Sequence, residues 1–160
     1  MTTFDQKEFR KIMGTFATGI TVVTTMHKSA PVGITVNSFT SVSLDPPLVL
    51  WCLANDADSY DIFANCKNFA VHILHEEQEE ISQIFSTKNS SKFENLQWET
   101  GEFGAPILND CASCFQCETE IGYSGGDHII LLGRVRAIEN NTEKHPLVYH
   151  NSNYHALKKI

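Results

Sequence analysis

The stretch "ITVNSFTSVSLDPPLV", residues 34 to 49, decides how the chain is read. It has the β-branched content of a strand, yet Asn37, Ser38, Thr40, Ser41 and Ser43 put short polar side chains through its middle. Side chains on a strand alternate between two faces. The even positions from 34 to 44 are Ile, Val, Ser, Thr, Val and Leu, mostly core-forming. The odd positions from 35 to 43 are Thr, Asn, Phe, Ser and Ser, a polar stripe broken by one ring. A sheet face open to water gives such a stripe. A solvated face normally carries Lys, Glu or Arg as well, and this one has none.

The next segment, Leu48 to Ala54, is a continuous apolar run and predicts a strand buried on both faces. Short uncharged hydrogen-bonding groups beside an apolar wall suit a flat, neutral ligand with polar edges. The isoalloxazine ring of a flavin has that character. Its pyrimidine edge alternates acceptors with one N–H donor, and its dimethylbenzene end is apolar. A pterin or a nucleobase fits the same stripe.

Outward from this stretch, Phe9, Ile12, Met13 and Phe16 recur at helical spacing and predict an amphipathic helix over residues 4 to 14. "GITVVTT" (19–25) reads as a strand and "HKSAPVG" (27–33) as a turn-rich connection. Asp45-Pro46-Pro47 stops the strand that begins at 34. Asp58 or Ser59 offers an N-cap for a short helix with Ile62, Phe63 and Cys66 on its inner face. A strand over 69–74, a helix over 76–86 and an irregular segment over 87–110 follow. "CFQCETEIGY" and "HIILLGRVRAIE" are long strands joined by the hairpin signal Ser124-Gly125-Gly126-Asp127. "PLVYHNSNYHAL" is a last strand or an extended arm. Several strands, short helices and no repeating βαβ unit predict a mainly β fold, an antiparallel barrel with helices packed around it.

The 160 residues suit a single domain, 1–160, with 42% hydrophobic and 19% charged content. A net charge of −7 argues against a nucleic-acid surface. No apolar run is long enough to span a bilayer, and "MTTFDQKEFRKIMG" lacks an apolar signal core, so a cytoplasmic protein without a membrane partner is expected. Five cysteines, an odd number, point to reduced thiols. Cys111, Cys114 and Cys117 lack the fourth cysteine of an iron–sulfur run. His145, His150 and His155, spaced by five, fit no helical or strand ligand set, so no metal site is expected.

In the order "FRKIMGTFATGITVVTT", "GITVNSFTSVSLDPPLVLWCL", "NFAVHIL", "KFENLQW", "GDHIILLGRV" and "PLVYHNSNY", the chain resembles the flavin reductase-like family from about Phe9 to Tyr154. These are FMN-binding split-barrel proteins that include the small reductase components of two-component flavin monooxygenases. The resemblance implies a homodimeric, six-stranded antiparallel split β-barrel with short flanking helices. It implies a site near the dimer interface for FMN or FAD, with NADH or NADPH as hydride donor, and a partner monooxygenase that receives reduced flavin. By position, the backbone of Thr35, Val36, Asn37 and Ser38 would hold the isoalloxazine edge, with Cys52, Leu53 and Ala54 along the flavin on the adjacent strand. Ser59 would meet the phosphate, with Ser86, Lys92 and Phe93 near the ribityl-phosphate end. His128 would stand beside the nicotinamide as the catalytic candidate, and Tyr154 would help close the site. Asn153 and His155 stand where relatives often have Gly and Arg, which leaves the choice between NADH and NADPH open. Asp56, Asp58 and Asp61 lie close enough to the phosphate position for like-charge repulsion to weaken flavin retention.

Each of these residues also has a plainer role. Ser59 at the start of a helix meets free N–H groups that favour an anion, or it is only an N-cap. Lys92 supplies a point charge, or is an ordinary solvated lysine. His128 heads a strand and either contacts the nicotinamide or bonds to backbone. Hydride transfer needs positioning more than a protein acid, so loss of His128 is expected to slow turnover rather than abolish it. Gly125-Gly126 lacks the Lys-Ser/Thr ending of a phosphate loop, and no G-x-G-x-x-G follows a first strand. The function expected is an NAD(P)H:flavin oxidoreductase. An FMN-binding electron carrier and an FMN-dependent reductase of a small organic substrate are the rivals.

Overall fold

The computed structural model describes residues 4–88 and 91–158. Helix α1 (Gln6–Met13) is capped by Asp5, whose carboxylate accepts from the Glu8 N–H at 2.7 Å. Strands β1 (Thr18–Gly19) and β2 (Thr21–His27) follow. Lys28 and Ser29 have φ of 47° and 65°, the paired left-handed geometry of a tight hairpin turn. Strand β3 (Ala30–Val36) therefore starts at once, and the turn-rich connection shrinks to two residues. Neither turn residue is the Asn or Gly that usually announces this geometry.

The chain continues through β4 (Thr40–Leu44), β5 (Pro47–Ala54), α2 (Tyr60–Ala64), β6 (Asn68–Ile73) and α3 (Glu79–Ser86). The segment expected to be irregular contains a small hairpin, β7 (Trp98–Thr100) with β8 (Pro106–Leu108). The long strands are β9 (Ser113–Gly125) and β10 (His128–Asn140). The chain's last expected strand is a second tight hairpin, β11 (Val148–His150) with β12 (Asn153–His155), turning at Asn151 and Ser152 with φ of 49° and 63°. Seven strands form one antiparallel sheet in the order β3-β2-β6-β9-β10-β5-β4, and β1, β11 and β12 form a smaller one.

Residues 34–44 are thus not one strand but parts of two. Residues 34–36 finish β3 and 40–44 form β4, at opposite edges of the seven-stranded sheet. Ser38, a polar residue in the middle of the even-numbered face, explains the break. The Ser38 hydroxyl accepts from the Cys52 N–H at 2.9 Å and donates to the Cys52 carbonyl at 3.0 Å. The β4–β5 ladder begins at Thr40↔Leu50, so one side chain stands in for the backbone pair two residues further along. The chain leaves one edge strand and joins the other without orphaning Cys52. Phe39 turns inward against the Phe115 ring, 5.7 Å between centroids. The even-numbered face stops being core beyond Ser38: Val42 sits in a register shift between Ser41 and Ser43, and Leu44 is 95% exposed.

Six of the seven strands point into one core. Val23, Val49, Trp51, Leu53, Phe69, Val71, Cys117 and Leu131 are buried there with Phe63 of α2, and Val32, Ile34 and Val36 of β3 pack against them. The ladder itself has seven strands rather than the expected six, because β4 pairs at the edge without supplying this cluster. A second cluster lies under α3, built from Ile20, Val22, Leu74, Phe85, Phe93, Leu108 and Leu147. Buried His72 joins three strands, donating from Nδ1–H to the Val22 carbonyl (3.0 Å) and accepting at Nε2 from the Leu108 N–H (3.1 Å). Burial holds it neutral and pushes its pKa down to about 4.

Strand β5 is apolar on both faces, but only one is buried. Val49, Trp51 and Leu53 are in the core, whereas Leu48, Leu50 and Cys52 are half-buried on the outer face. Register places Leu50 beside Leu132 and then Ile121, and Cys52 beside Ile130 and then Tyr123. An apolar patch therefore runs across three strands on the outside.

Replacing Ser38 by Ala is expected to lower stability by about 1–3 kcal/mol, because both Cys52 backbone groups lose their partner. Urea unfolding reads this as a lower midpoint at constant slope. A variant as stable as the parent would show that the hydroxyl does not hold β5.

Candidate functional site

A groove of about 580 Å³ opens between β3, the loop after β5 and the end of α3. Helix α3 lies directly on β3 because Gly33 has no side chain; a Cβ there would sit 2.4 and 2.7 Å from Phe85 ring atoms. Phe85 meets Phe93 edge-on at 5.0 Å. Next to Phe93, the Lys92 ammonium donates to the Gly33 carbonyl at 3.2 Å and the Phe85 carbonyl at 3.0 Å. Lys92 is therefore fixed against the groove rather than an ordinary solvated lysine. Burial pushes its pKa down, and the Asp58 carboxylate pulls it back up. Two of its three donors are committed and one remains.

Ser59, Ser86, Lys92 and Phe93 all line this groove. Ser59 holds the N-cap position of α2, but its hydroxyl makes no capping bond. Ser86 donates its one O–H to the Gln83 carbonyl at 2.8 Å and serves an anion only by turning from that carbonyl. Helix α2 has only five residues, so its dipole is slight. Affinity for an anion here must come from Lys92 and the hydroxyls.

The side chains of Thr35 and Ser38 are already used. The Thr35 hydroxyl donates to the Ser82 carbonyl at 2.7 Å, and Ser38 is bound to Cys52. The Val36 carbonyl accepts from the Thr21 hydroxyl at 3.0 Å. What this segment offers a ligand is backbone, since an edge strand leaves one side of its ladder unpaired, together with the exposed Asn37. Cys52 is half-buried with its pKa raised by burial, so its thiol stays neutral. Leu53 is 1% exposed and points into the core, leaving only its backbone for a ligand. Ala54 is half-buried and stands opposite His128 in the β5–β10 ladder.

The turn before β10 is clamped to the end of β5. Asn55 donates from its backbone N–H to the Asp127 carbonyl at 2.9 Å and from Nδ2 to the Gly126 carbonyl at 3.1 Å. The His128 ring meets a side chain rather than backbone: its Nδ1 lies 2.7 Å from the Asp127 carboxylate, and that bond holds the Asp127 carboxyl below its usual pKa. Tyr154 shares a 2.9 Å hydrogen bond with the buried Ser82 hydroxyl. Through Ser82, the last hairpin is tied to α3 and to Thr35.

Gly33, Asn55 and Lys88 escaped the sequence reading. A glycine inside a strand signals close backbone approach, so Gly33 carried a usable sign. Lys88 carried none, because it follows α3 in a stretch without periodicity; its Nζ lies 3.6 Å from Asp58 Oδ1. All five cysteines are free. Burial raises the pKa of Cys114 and pushes Cys111 and Cys117 up to about 12. Cys114 and Cys117 lie in separate core clusters.

The class of protein follows from likeness of fold. The solved structure of Streptomyces globisporus NADH:FAD oxidoreductase SgcE6, in complex with NAD and FAD fragments, superposes with a TM-score of 0.92 at 34% identity, covering 96% of this chain and 93% of that one. FMN reductase (NADH) SmoA of Agrobacterium fabrum is 40% identical over 131 residues, 82% of this chain and 75% of its own length. The reductase subunit HsaB of a Mycobacterium tuberculosis flavin-dependent monooxygenase is 33% identical over 156 residues, 96% of this chain and 83% of its own length. Other relatives are longer: the chain spans 45% of a Rhizobium meliloti relative that is 42% identical over 139 residues. Residues 13–158 match the profile described as flavin reductase like domain, and the chain belongs to that family.

Gly33→Ala is expected to force Phe85 and α3 away from β3 and to cost about 1–3 kcal/mol of stability. Urea unfolding measures the loss, and an unchanged midpoint would mean that the close approach at Gly33 does not set the groove.

Proposed function

We propose that this domain takes hydride from NADH or NADPH onto FMN or FAD and releases the reduced flavin to a separate monooxygenase. The observation that carries it is convergence: Ser59, before α2, and Ser86 and Lys92, at and just after the end of α3, line one groove beside the edge of β3. The volume lies within the roughly 300–1,000 Å³ usual for small-molecule sites. Two features fit a phosphorylated flavin, namely the Ser59 hydroxyl that makes no capping bond and the remaining Lys92 donor. The flavin, when bound, supplies the two-electron acceptor. The chain's own part is to hold and orient. Ser59, Ser86 and Lys92 would take the phosphate end. The backbone over 35–38 and 52–54 would take the ring, and His128 would orient the nicotinamide with Asp127 fixing its imidazole. SmoA is described as an FMN reductase using NADH, and SgcE6 as an NADH:FAD oxidoreductase, so the relatives support both flavins and favour NADH. HsaB is a monooxygenase reductase subunit, which supports the oxygenase partner.

The proposal extends to the assembly. Leu48, Leu50, Cys52, Ile130, Leu132, Ile121 and Tyr123 form the outer apolar patch, and Ile121 and Tyr123 are 44% and 53% exposed. A patch spread over three strands fits a self-complementary interface, so a homodimer of split barrels is the assembly we infer. No helix among the described residues is long and apolar enough to cross a membrane. A cytoplasmic setting agrees with the use of NADH.

The test follows nicotinamide absorbance under air with added FMN. Turnover is expected to rise with FMN and saturate; retained yellow colour without NADH or NADPH consumption would make the protein a carrier instead. His128→Ala is expected to slow turnover roughly ten- to hundredfold with flavin affinity unchanged. Complete loss of turnover at unchanged flavin and nicotinamide binding would contradict a positioning role. Sedimentation is expected to give a dimer for the parent and a monomer for Ile121→Lys, and a monomeric parent would remove the proposed interface.

A further inference from the structure

Among the described residues, the charged side chains lining the groove are Asp56, Asp58, Lys88 and Lys92, whose formal charges cancel. Lys92 already spends two donors on backbone carbonyls. Asp58 stands 3.6 Å from Lys88, and Lys92 feels its field as well. Asp58 also immediately precedes Ser59, the hydroxyl assigned to the phosphate. A phosphate placed at Ser59 must therefore enter beside a carboxylate that is already paired with a groove cation.

We infer that Asp58 is a built-in competitor for the flavin phosphate, holding Lys88 and facing Lys92 until FMN or FAD enters and then repelling the bound phosphate. This rests on the flavin proposal above and deepens it, because it makes the flavin a substrate that leaves rather than a resident group. The Asp58–Lys88 pair is exposed, with side chains 67% and 79% accessible, so breaking it costs little. Repulsion is the larger effect. For a carboxylate on the residue next to the one holding a phosphate dianion, in an open, water-filled groove, Coulomb's law gives a weakening on the order of tenfold. Riboflavin has the same rings and ribityl chain without the phosphate, and Asp58 has no such quarrel with it.

The experiment titrates FMN, FAD and riboflavin into the parent and into Asp58→Asn, reading flavin fluorescence, with stopped-flow release of FMN as a second measurement. Asp58→Asn is expected to bind FMN about tenfold more tightly and release it correspondingly more slowly, FAD to tighten as well, and riboflavin to stay within about twofold. Lys88→Gln is expected to weaken FMN more in the Asp58→Asn background than in the parent, because the amine is no longer held. Equal shifts for FMN and riboflavin, or no tightening of FMN, would overturn the role given to Asp58. A parent protein that binds none of the three flavins would overturn the flavin proposal itself.

Discussion

One hydroxyl joins two edges of the sheet. Ser38 accepts from the Cys52 N–H and donates to its carbonyl, where a backbone ladder would otherwise need another strand residue. Buried backbone groups must find partners, and a strand that leaves its sheet normally abandons some. Here the side chain completes the pairing, so β3 can end at Val36 and β4 can begin at Thr40 on the far edge. The ends of β3 and β5 are held together as a result. That junction gives the backbone proposed to hold the ring a fixed partner. The crossing is held by Ser38, on the face opposite the uncharged polar stripe.

Electrostatics then decides what kind of site the groove is. Two lysines against two aspartates give no standing surplus of positive charge, and the chain as a whole carries −7. Neither the local nor the overall field draws an anion in. Binding must depend on contact: hydroxyls, one spare ammonium donor and stacking of flat rings. Contacts of that kind favour exchange over permanent retention. A reductase that hands its product to another protein needs such exchange, whereas a carrier would profit from more cations and fewer carboxylates.

Much of this was legible in the residues. Periodicity found α1, β6, β9 and β10 almost to their ends, and the Gly126-Asp127 turn lies where the hairpin signal placed it. Ser59, Ser86, Lys92 and Phe93 were identified through resemblance and do share one groove. What stayed hidden has physical reasons. Lys28, Ser29 and Ser152 take left-handed conformations that such residues rarely adopt, so two hairpins left little mark. The break at residues 37–39 was masked because β-branched residues flank it on both sides. The half-buried outer face of β5 could not be told from a buried one, since hydrophobic pattern records what a face avoids and not which molecule covers it. Lys88 matters only through a partner thirty residues away, and no local pattern encodes that distance.

The same long-range logic links the end of the chain to the site. Tyr154 reaches the Ser82 hydroxyl, and the Ser82 carbonyl takes the Thr35 hydroxyl. The last hairpin pairs in turn with β1, which immediately precedes β2. Helix α3 is therefore held from above by β12 and seated from below on Gly33. Its final turn carries Phe85 and Ser86, and Lys88 follows directly, so the groove wall moves only if these anchors yield. Neutral hydrogen bonds of this sort are worth about 0.5–1.5 kcal/mol each, enough to keep the wall in place on average yet small against the free energy of the whole fold. A wall held that way can yield locally while the β core beneath it stays folded, which is what the proposed exchange of a flavin with a second protein would require.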